Sequence, residues 1–133
     1  MIIIIEDWSF SMRYSRQREA LVELLKSTTS HPDAEWLYTN LKKKYPNISL
    51  GTVYRNLRTL AQNGEILELP ADGISHFDGD ISEHYHFHCS KCGRIYDLPR
   101  GSVKAPEITA CGFEISGFEL MFRGICVNCK NSQ

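Results

Sequence analysis

The 133-residue sequence predicts an α+β protein of two small domains, a winged helix-turn-helix followed by a small α/β domain with a four-cysteine zinc site. Three observations carry that prediction. Three helix-like segments and a two-stranded hairpin pattern fill the first half, in the order of a winged helix-turn-helix. Short apolar runs at strand spacing replace the helical pattern afterwards. Two Cys-x-x-Cys pairs, Cys89/Cys92 and Cys126/Cys129, fall within that second half.

The elements follow in order. Residues 1–12 read as a variable arm. Ser15 is placed to cap a helix over 16–27, with Ala20, Leu21, Leu24 and Leu25 on one face. Ser30-His31-Pro32-Asp33 reads as a turn into a second helix over 33–45. There Trp36, Leu37 and Leu41 are expected to face inward, and Lys42, Lys43 and Lys44 suit the negative end of the helix dipole. Pro46 stops this helix. Ser49 caps a third helix over 50–63, and Gly64 ends it in the left-handed conformation that such positions favour. Ile66–Leu69 and Ile74–Phe77 read as strands joined through Pro70-Ala71-Asp72-Gly73. Beyond a hinge at 78–83, strands are expected over Tyr85–Cys89, Arg94–Leu98, Phe113–Ser116 and Leu120–Arg123, with a short helix within 103–111. The domains are therefore expected at 1–77 and 84–133.

Charge narrows the function classes. The net charge of −1 excludes a generally basic coat, yet Met12–Gln62 holds nine Lys/Arg against four Asp/Glu, about +5. The opening Met-Ile-Ile-Ile-Ile-Glu-Asp is too short and too soon acidic for a signal peptide or a membrane span. Thiols in zinc-ligand spacing suit a reducing compartment, so a cytoplasmic protein is expected.

Cys-x-x-Cys repeated some thirty residues later is a zinc-knuckle pattern, each pair giving two thiolates to one tetrahedral Zn²⁺. Redox pairs or disulfides are the alternative. Gly93 allows a tight turn after the first pair. Cys111, the odd cysteine, reads as a small core residue.

On a helical wheel, Leu50, Val53, Leu57, Leu60 and Ala61 gather on one face of the third helix. Thr52, Arg55, Thr59 and Gln62 gather opposite, and Tyr54 lies at the boundary. A front of hydrogen-bonding side chains without acids fits a DNA major groove, where Arg reads guanine and Thr or Tyr meets a thymine methyl. A merely solvated amphipathic helix gives the same wheel; the wing, the element order and the local positive charge favour DNA.

With these residues in hand, the chain resembles the ferric uptake regulator (Fur) superfamily. The resemblance rests on Arg13-Tyr14-Ser15-Arg16-Gln17-Arg18, the His31-Pro32 turn, Ile48-Ser49-Leu50-Gly51-Thr52-Val53-Tyr54-Arg55-Asn56-Leu57 and His84-Tyr85-His86-Phe87-His88-Cys89-Ser90-Lys91-Cys92-Gly93. It spans nearly everything past the first ten residues. It implies a homodimeric, metal-dependent repressor of double-stranded operator DNA, with the second domain as dimeriser. It further implies that Tyr54 and Arg55 touch bases and that Arg13 reaches a neighbouring minor groove.

The resemblance also supplies a second metal set. His84 and His86, two apart, leave the same face of a strand. With His31, Asp78 and Asp97 they match the superfamily's regulatory ligands one by one. Three imidazoles and two carboxylates suit Fe²⁺ or Mn²⁺. His88 reads as a neighbour of this set, and His76 is open between the two roles. Aspartate at 97 resembles the peroxide-responsive (PerR-type) branch, in which peroxide oxidises a ligand histidine, here His31 or His84, and releases the DNA. Iron, zinc or manganese uptake regulators are the alternatives, and Arg55 after Tyr54 departs from some peroxide sensors towards the iron regulators. Gly117-Phe118 lacks the histidine that many members use for a third metal. One structural zinc and one regulatory ion are therefore expected per protomer.

Turnover chemistry is not expected. A zinc deaminase needs His-x-Glu, which does not occur in the chain. A closed four-cysteine site leaves no position for an activated water, and zinc quenches a thiol oxidoreductase. No membrane and no small-molecule substrate, apart from the metal ion and peroxide, are expected as partners.

Overall fold

A computed structural model describes residues 5–104, 107 and 112–132, with side chains from Tyr14 onward. The chain divides into two compact units, Met1–Ser82 and Glu83–Gln133.

The first unit contains α1 (Ile5–Lys26), α2 (Ala34–Leu41), α3 (Leu50–Gln62) and a hairpin of β1 (Leu67–Ala71) and β2 (Ile74–Asp78). The helix α1 begins well before the expected cap, so Ser15 lies mid-helix and residues 5–12 are not a separate arm. No glycine or proline precedes Pro32, and nothing in the sequence stops the helix from running upstream. Its Leu21 and Leu25 are buried, one turn apart, while Ala20 and Leu24 pack at the core's edge.

Asp33 accepts a hydrogen bond from the Trp36 backbone N–H at 2.9 Å and caps α2. Ala34, Leu37 and Leu41 form its buried stripe, whereas Trp36 is 39% exposed, against expectation. A residue one position from Leu37 is turned about 100° round the helix, too far to share its face. The helix also stops early. Lys42–Lys44 form a turn that follows it.

Ser49 caps α3 as expected, accepting from the Thr52 N–H at 3.1 Å. Val53, Leu57 and Leu60 enter the core, and so does Asn56, which the wheel did not single out. Gly64 follows with φ 73°. Asp72 (φ 52°) and Gly73 (φ 78°) make a two-residue primed turn, tighter than the four-residue connection expected. Pro70 thus belongs to the ladder, opposite Ser75, and β2 runs on to Asp78 opposite Leu67. Just beyond, the Gly79 backbone lies against the end of α1: an added Cβ would sit 3.0 Å from the Lys26 nitrogen.

The second unit is a three-stranded sheet in the order β4-β3-β5, from β3 (His86–Cys89), β4 (Ile95–Asp97) and β5 (Met121–Gly124), followed by the short helix α4 (Val127–Asn131). The strand β3 runs antiparallel to β4 and parallel to β5. Residues 113–116 form no strand, and Phe113 is 81% exposed. The helix expected within 103–111 and the core role given to Cys111 fall largely or wholly outside the described residues. Buried apolar side chains here, among the described residues, are Cys89, Ile95 and Cys126. So thin a core needs further support.

Candidate metal centres and nucleic-acid face

Parallel pairing of β3 with β5 sets Cys89 opposite Gly124, and two residues later the chain delivers Cys126. A turn brings Cys92 back, closed by the Gly93 N–H to the Cys89 carbonyl at 2.9 Å. Gly93 has φ 78°, a conformation that side chains resist. Cys129 rides on the first turn of α4. All four sulfurs lie within 4.8 Å of one another, and Cys92 Sγ is 3.9 Å from Cys126 Sγ. Four thiolates at about 2.3 Å from a tetrahedral Zn²⁺ stand about 3.8 Å apart, so the set fits that ion.

The electrostatics agree. Backbone N–H groups of Cys92 and Cys126 each donate to Cys89 Sγ at 3.4 Å. They draw the Cys89 thiol down to about 5. The Tyr96 hydroxyl donates to Cys126 Sγ at 3.5 Å, which lowers Cys126 and raises Tyr96 to about 12. Cys129, hydrogen-bonded with Cys126 among its neighbours, is pushed up to about 12. Some sulfurs are held as thiolates and another resists ionising beside them. A divalent cation relieves that conflict.

A second donor set stands in the same unit. The β3–β4 register puts His86 directly opposite Asp97. His84, just ahead of the strand, and His86 both aim Nε2 at Asp97 Oδ1, at 3.1 and 3.2 Å. Their rings are 4.4 Å apart. His88 is buried two pairs along, opposite Ile95. The donor set is nitrogen and oxygen, the chemistry of Fe²⁺ and Mn²⁺.

The first unit contributes a separate pair. His31 Nδ1 lies 3.5 Å from Asp78 Oδ2, and both residues are buried. Of the five residues expected to hold a regulatory ion, the structure thus assembles three in one unit and two in the other. His76, left open by the sequence, donates from Nδ1 to the His31 carbonyl at 2.9 Å. Its signal was positional: His76 and Asp78 share one face of a strand.

The outward face of α3 carries Arg55, Thr59 and Gln62, all exposed, with Tyr54 47% exposed beside them. Thr52 is half-buried, and Arg55 Nη2 donates to its hydroxyl at 2.9 Å. Thr59 spends its hydroxyl proton on the Arg55 carbonyl at 3.0 Å. Arg58, not singled out from the sequence, is exposed one turn beyond Tyr54 and lines a groove with Gln62 and the wing residue Ser75. The side chain of Arg13 lies outside the described residues.

Known proteins agree with this architecture. The sequence profile of the ferric uptake regulator family matches residues 9–123. The peroxide operon regulator of Bacillus subtilis (strain 168) is 36% identical over 126 residues, covering 92% of this chain and 87% of its own. A Campylobacter jejuni peroxide stress regulator, solved by crystallography, superposes with a TM-score of 0.66 at 36% identity, covering 74% of this chain and 73% of that one. The Helicobacter pylori ferric uptake regulator shares the fold at a TM-score of 0.72 and 21% identity, over 97% of this chain and 93% of its own. From its sequence, its fold and its paired donor sets, the chain belongs to the ferric uptake regulator family.

Proposed function

We propose that the protein is a homodimeric, metal-dependent repressor that senses peroxide at one Fe²⁺ or Mn²⁺ site per protomer. The observation that carries this reading is the convergence of His84 and His86 on one oxygen of Asp97. In this reading the His31–Asp78 pair of the other unit completes that set, and a hinge at 78–83 lies between the halves. An ion held by both halves holds the reader and the dimeriser at one angle. In a dimer, that angle sets the spacing of two α3 helices along the duplex. Moving the closed form from about 1:99 to 99:1 takes roughly 5.5 kcal/mol of differential metal binding.

Held by these residues, Fe²⁺ would supply the redox chemistry by which one peroxide passes one oxygen to the ring of His31 or His84 and leaves the other as water, a two-electron oxidation overall; Mn²⁺ would not. Asp97 leaves room for access, its side chain being 39% exposed. A histidine ring oxidised at carbon has amide-like nitrogens that are poor metal donors, so the clamp opens and the operator is released. The peroxide-regulator relatives from Bacillus subtilis and Campylobacter jejuni support this signal over iron uptake.

Within this reading Arg13, Thr52, Tyr54, Arg55 and Thr59 meet the duplex, and Arg58 joins them. A second copy of the chain covers Phe113, Phe118 and Val127, which are exposed in the unit described. The four cysteines hold a zinc that is structural, and the protein catalyses no turnover. Such a repressor works in the cytoplasm. The test loads the zinc protein with Fe²⁺ or Mn²⁺ and adds dilute peroxide. The iron form is expected to gain one oxygen mass on a peptide containing His31 or His84 and to lose the operator. The manganese form keeps both. Iron protein that retains its mass and its DNA affinity makes this an iron-uptake regulator instead.

A further inference from the structure

The amino end of α3 opens into a cavity of about 350 Å³, lined among others by Gln17, Lys44, Tyr45, Ser49 and Thr52. None of its lining residues is acidic. Gln17 is only 7% exposed, yet its Oε1 has no hydrogen-bond partner among the described residues. Folded proteins seldom leave a buried amide so, because its desolvation goes uncompensated. The first-turn N–H groups of Leu50 and Gly51 have no intrahelical acceptor, and the Ser49 hydroxyl serves Thr52 instead.

Positive charge converges on the same place. The helix dipole presents its positive end there. Arg55 is folded back over the helix start: a Cβ on Gly51 would lie 3.5 Å from its Nη1. Lys44 stands at the rim, with Nζ 5.8 Å from the centre of the Tyr45 ring. A half-turn of the Gln17 amide exchanges its oxygen for its NH₂ and completes a ring of donors. The matching ligand is a tetrahedral oxyanion.

We propose that this cavity seats one phosphodiester of the duplex backbone, gripped by Gln17 and the α3 amino end and neutralised by Lys44. The inference rests on the DNA-binding reading above. The exposed Tyr54 and Arg55 lie one turn along the same helix, so a phosphate seated here indexes α3 against the bases beside it. That adjacency favours a backbone phosphate over free inorganic phosphate, which has the same chemistry.

The test uses the full zinc- and manganese-loaded chain and a duplex selected by it from a random-sequence pool. Single neutral methylphosphonates are scanned along that duplex, and affinity is read by fluorescence anisotropy across a salt series. One position per half-site is expected to weaken binding about tenfold. Gln17→Leu is expected to weaken binding similarly on selected and random duplexes, and to make that one position insensitive. Lys44→Gln, at an exposed position, is expected to lower the salt slope by about 1 and to uncouple the same phosphate. Losses that multiply in full at every position, for both variants, overturn the proposal. So does saturation of the Gly51 amide by inorganic phosphate with no backbone position coupled to either variant. If the wild-type chain binds no duplex, with or without metal, the repressor reading falls and takes this site with it.

Discussion

The imidazole of His76 donates from Nδ1 to the main-chain carbonyl of His31 at 2.9 Å, so the wing fastens the turn that presents His31. The turn needs fastening. His31 has φ 52°, a left-handed conformation that costs a residue with a Cβ about 1–3 kcal/mol. Two more clasps from β2 hold it: the Phe77 N–H donates to the Pro32 carbonyl at 2.9 Å, and Asp33 bridges to His76. A carbonyl only accepts, so Nδ1 of His76 carries the proton.

His76→Ala is therefore expected to weaken Mn²⁺ binding about tenfold while the zinc content stays the same, because the turn relaxes and His31 turns away. His76→Asn restores a donor close to the Nδ1 position and is expected to recover most of that loss. Calorimetric titration with Mn²⁺ measures both. Equal affinities for all three proteins would mean that His76 only fills space.

His86→Ala is expected to abolish metal-dependent operator binding, since it removes one of two imidazoles from Asp97 and leaves no substitute at that register. Sedimentation and zinc analysis should still report a dimer with its zinc. Collapse of the dimer would instead make His86 a structural residue, which its 3% exposure also permits.

Zinc removal should melt one unit and spare the other. Among the described residues beyond 82, two of the three buried apolar side chains are cysteines of the four-sulfur cluster, so little else holds that sheet. The first unit has its own core of Leu21, Leu25, Leu37, Val53, Leu57 and Leu60. Strong chelation is expected to erase dispersed amide signals from Glu83–Gln133 and keep those of Ala20–Phe77. In the zinc-loaded protein, alkylating agents are expected to label at most Cys111. Rapid labelling of Cys92, the exposed member of the four, would remove the zinc assignment.

Gly79→Ala probes the stretch where the wing meets α1. The new methyl would sit 3.0 Å from the Lys26 nitrogen and 3.1 Å from the Leu25 carbonyl carbon, both backbone atoms that cannot swing aside. A loss of about 1–3 kcal/mol in urea unfolding of the first unit is expected. No loss would show that this strand end moves freely on the helix.

Periodicity and local chemistry determined much of this protein in advance. Ser49 and Gly64 bracket α3 because capping is decided within four residues. The same holds for the two Cys-x-x-Cys turns. Where the sequence misled, a local preference met no local stop or had no local cause. Ser15 favours a cap, but no glycine or proline upstream stops α1, which runs past it. Trp36 is apolar enough to bury, yet the α2 stripe through Ala34, Leu37 and Leu41 leaves it outside. Phe113–Ser116 alternates like a strand, but a strand exists only where a neighbour offers hydrogen bonds, and this segment joins neither described sheet.

Residue types and spacing singled out the four cysteines, while the choice of His84 and His86 over His88 came from the family resemblance. Their meeting with other residues was a matter of register. The sequence has no term for His76 reaching the His31 carbonyl 45 positions away, or for Gln17 standing unsatisfied at the foot of α3. Those depend on which strands pair and which helix ends converge, and free energy chooses among such pairings only once the whole chain is folded.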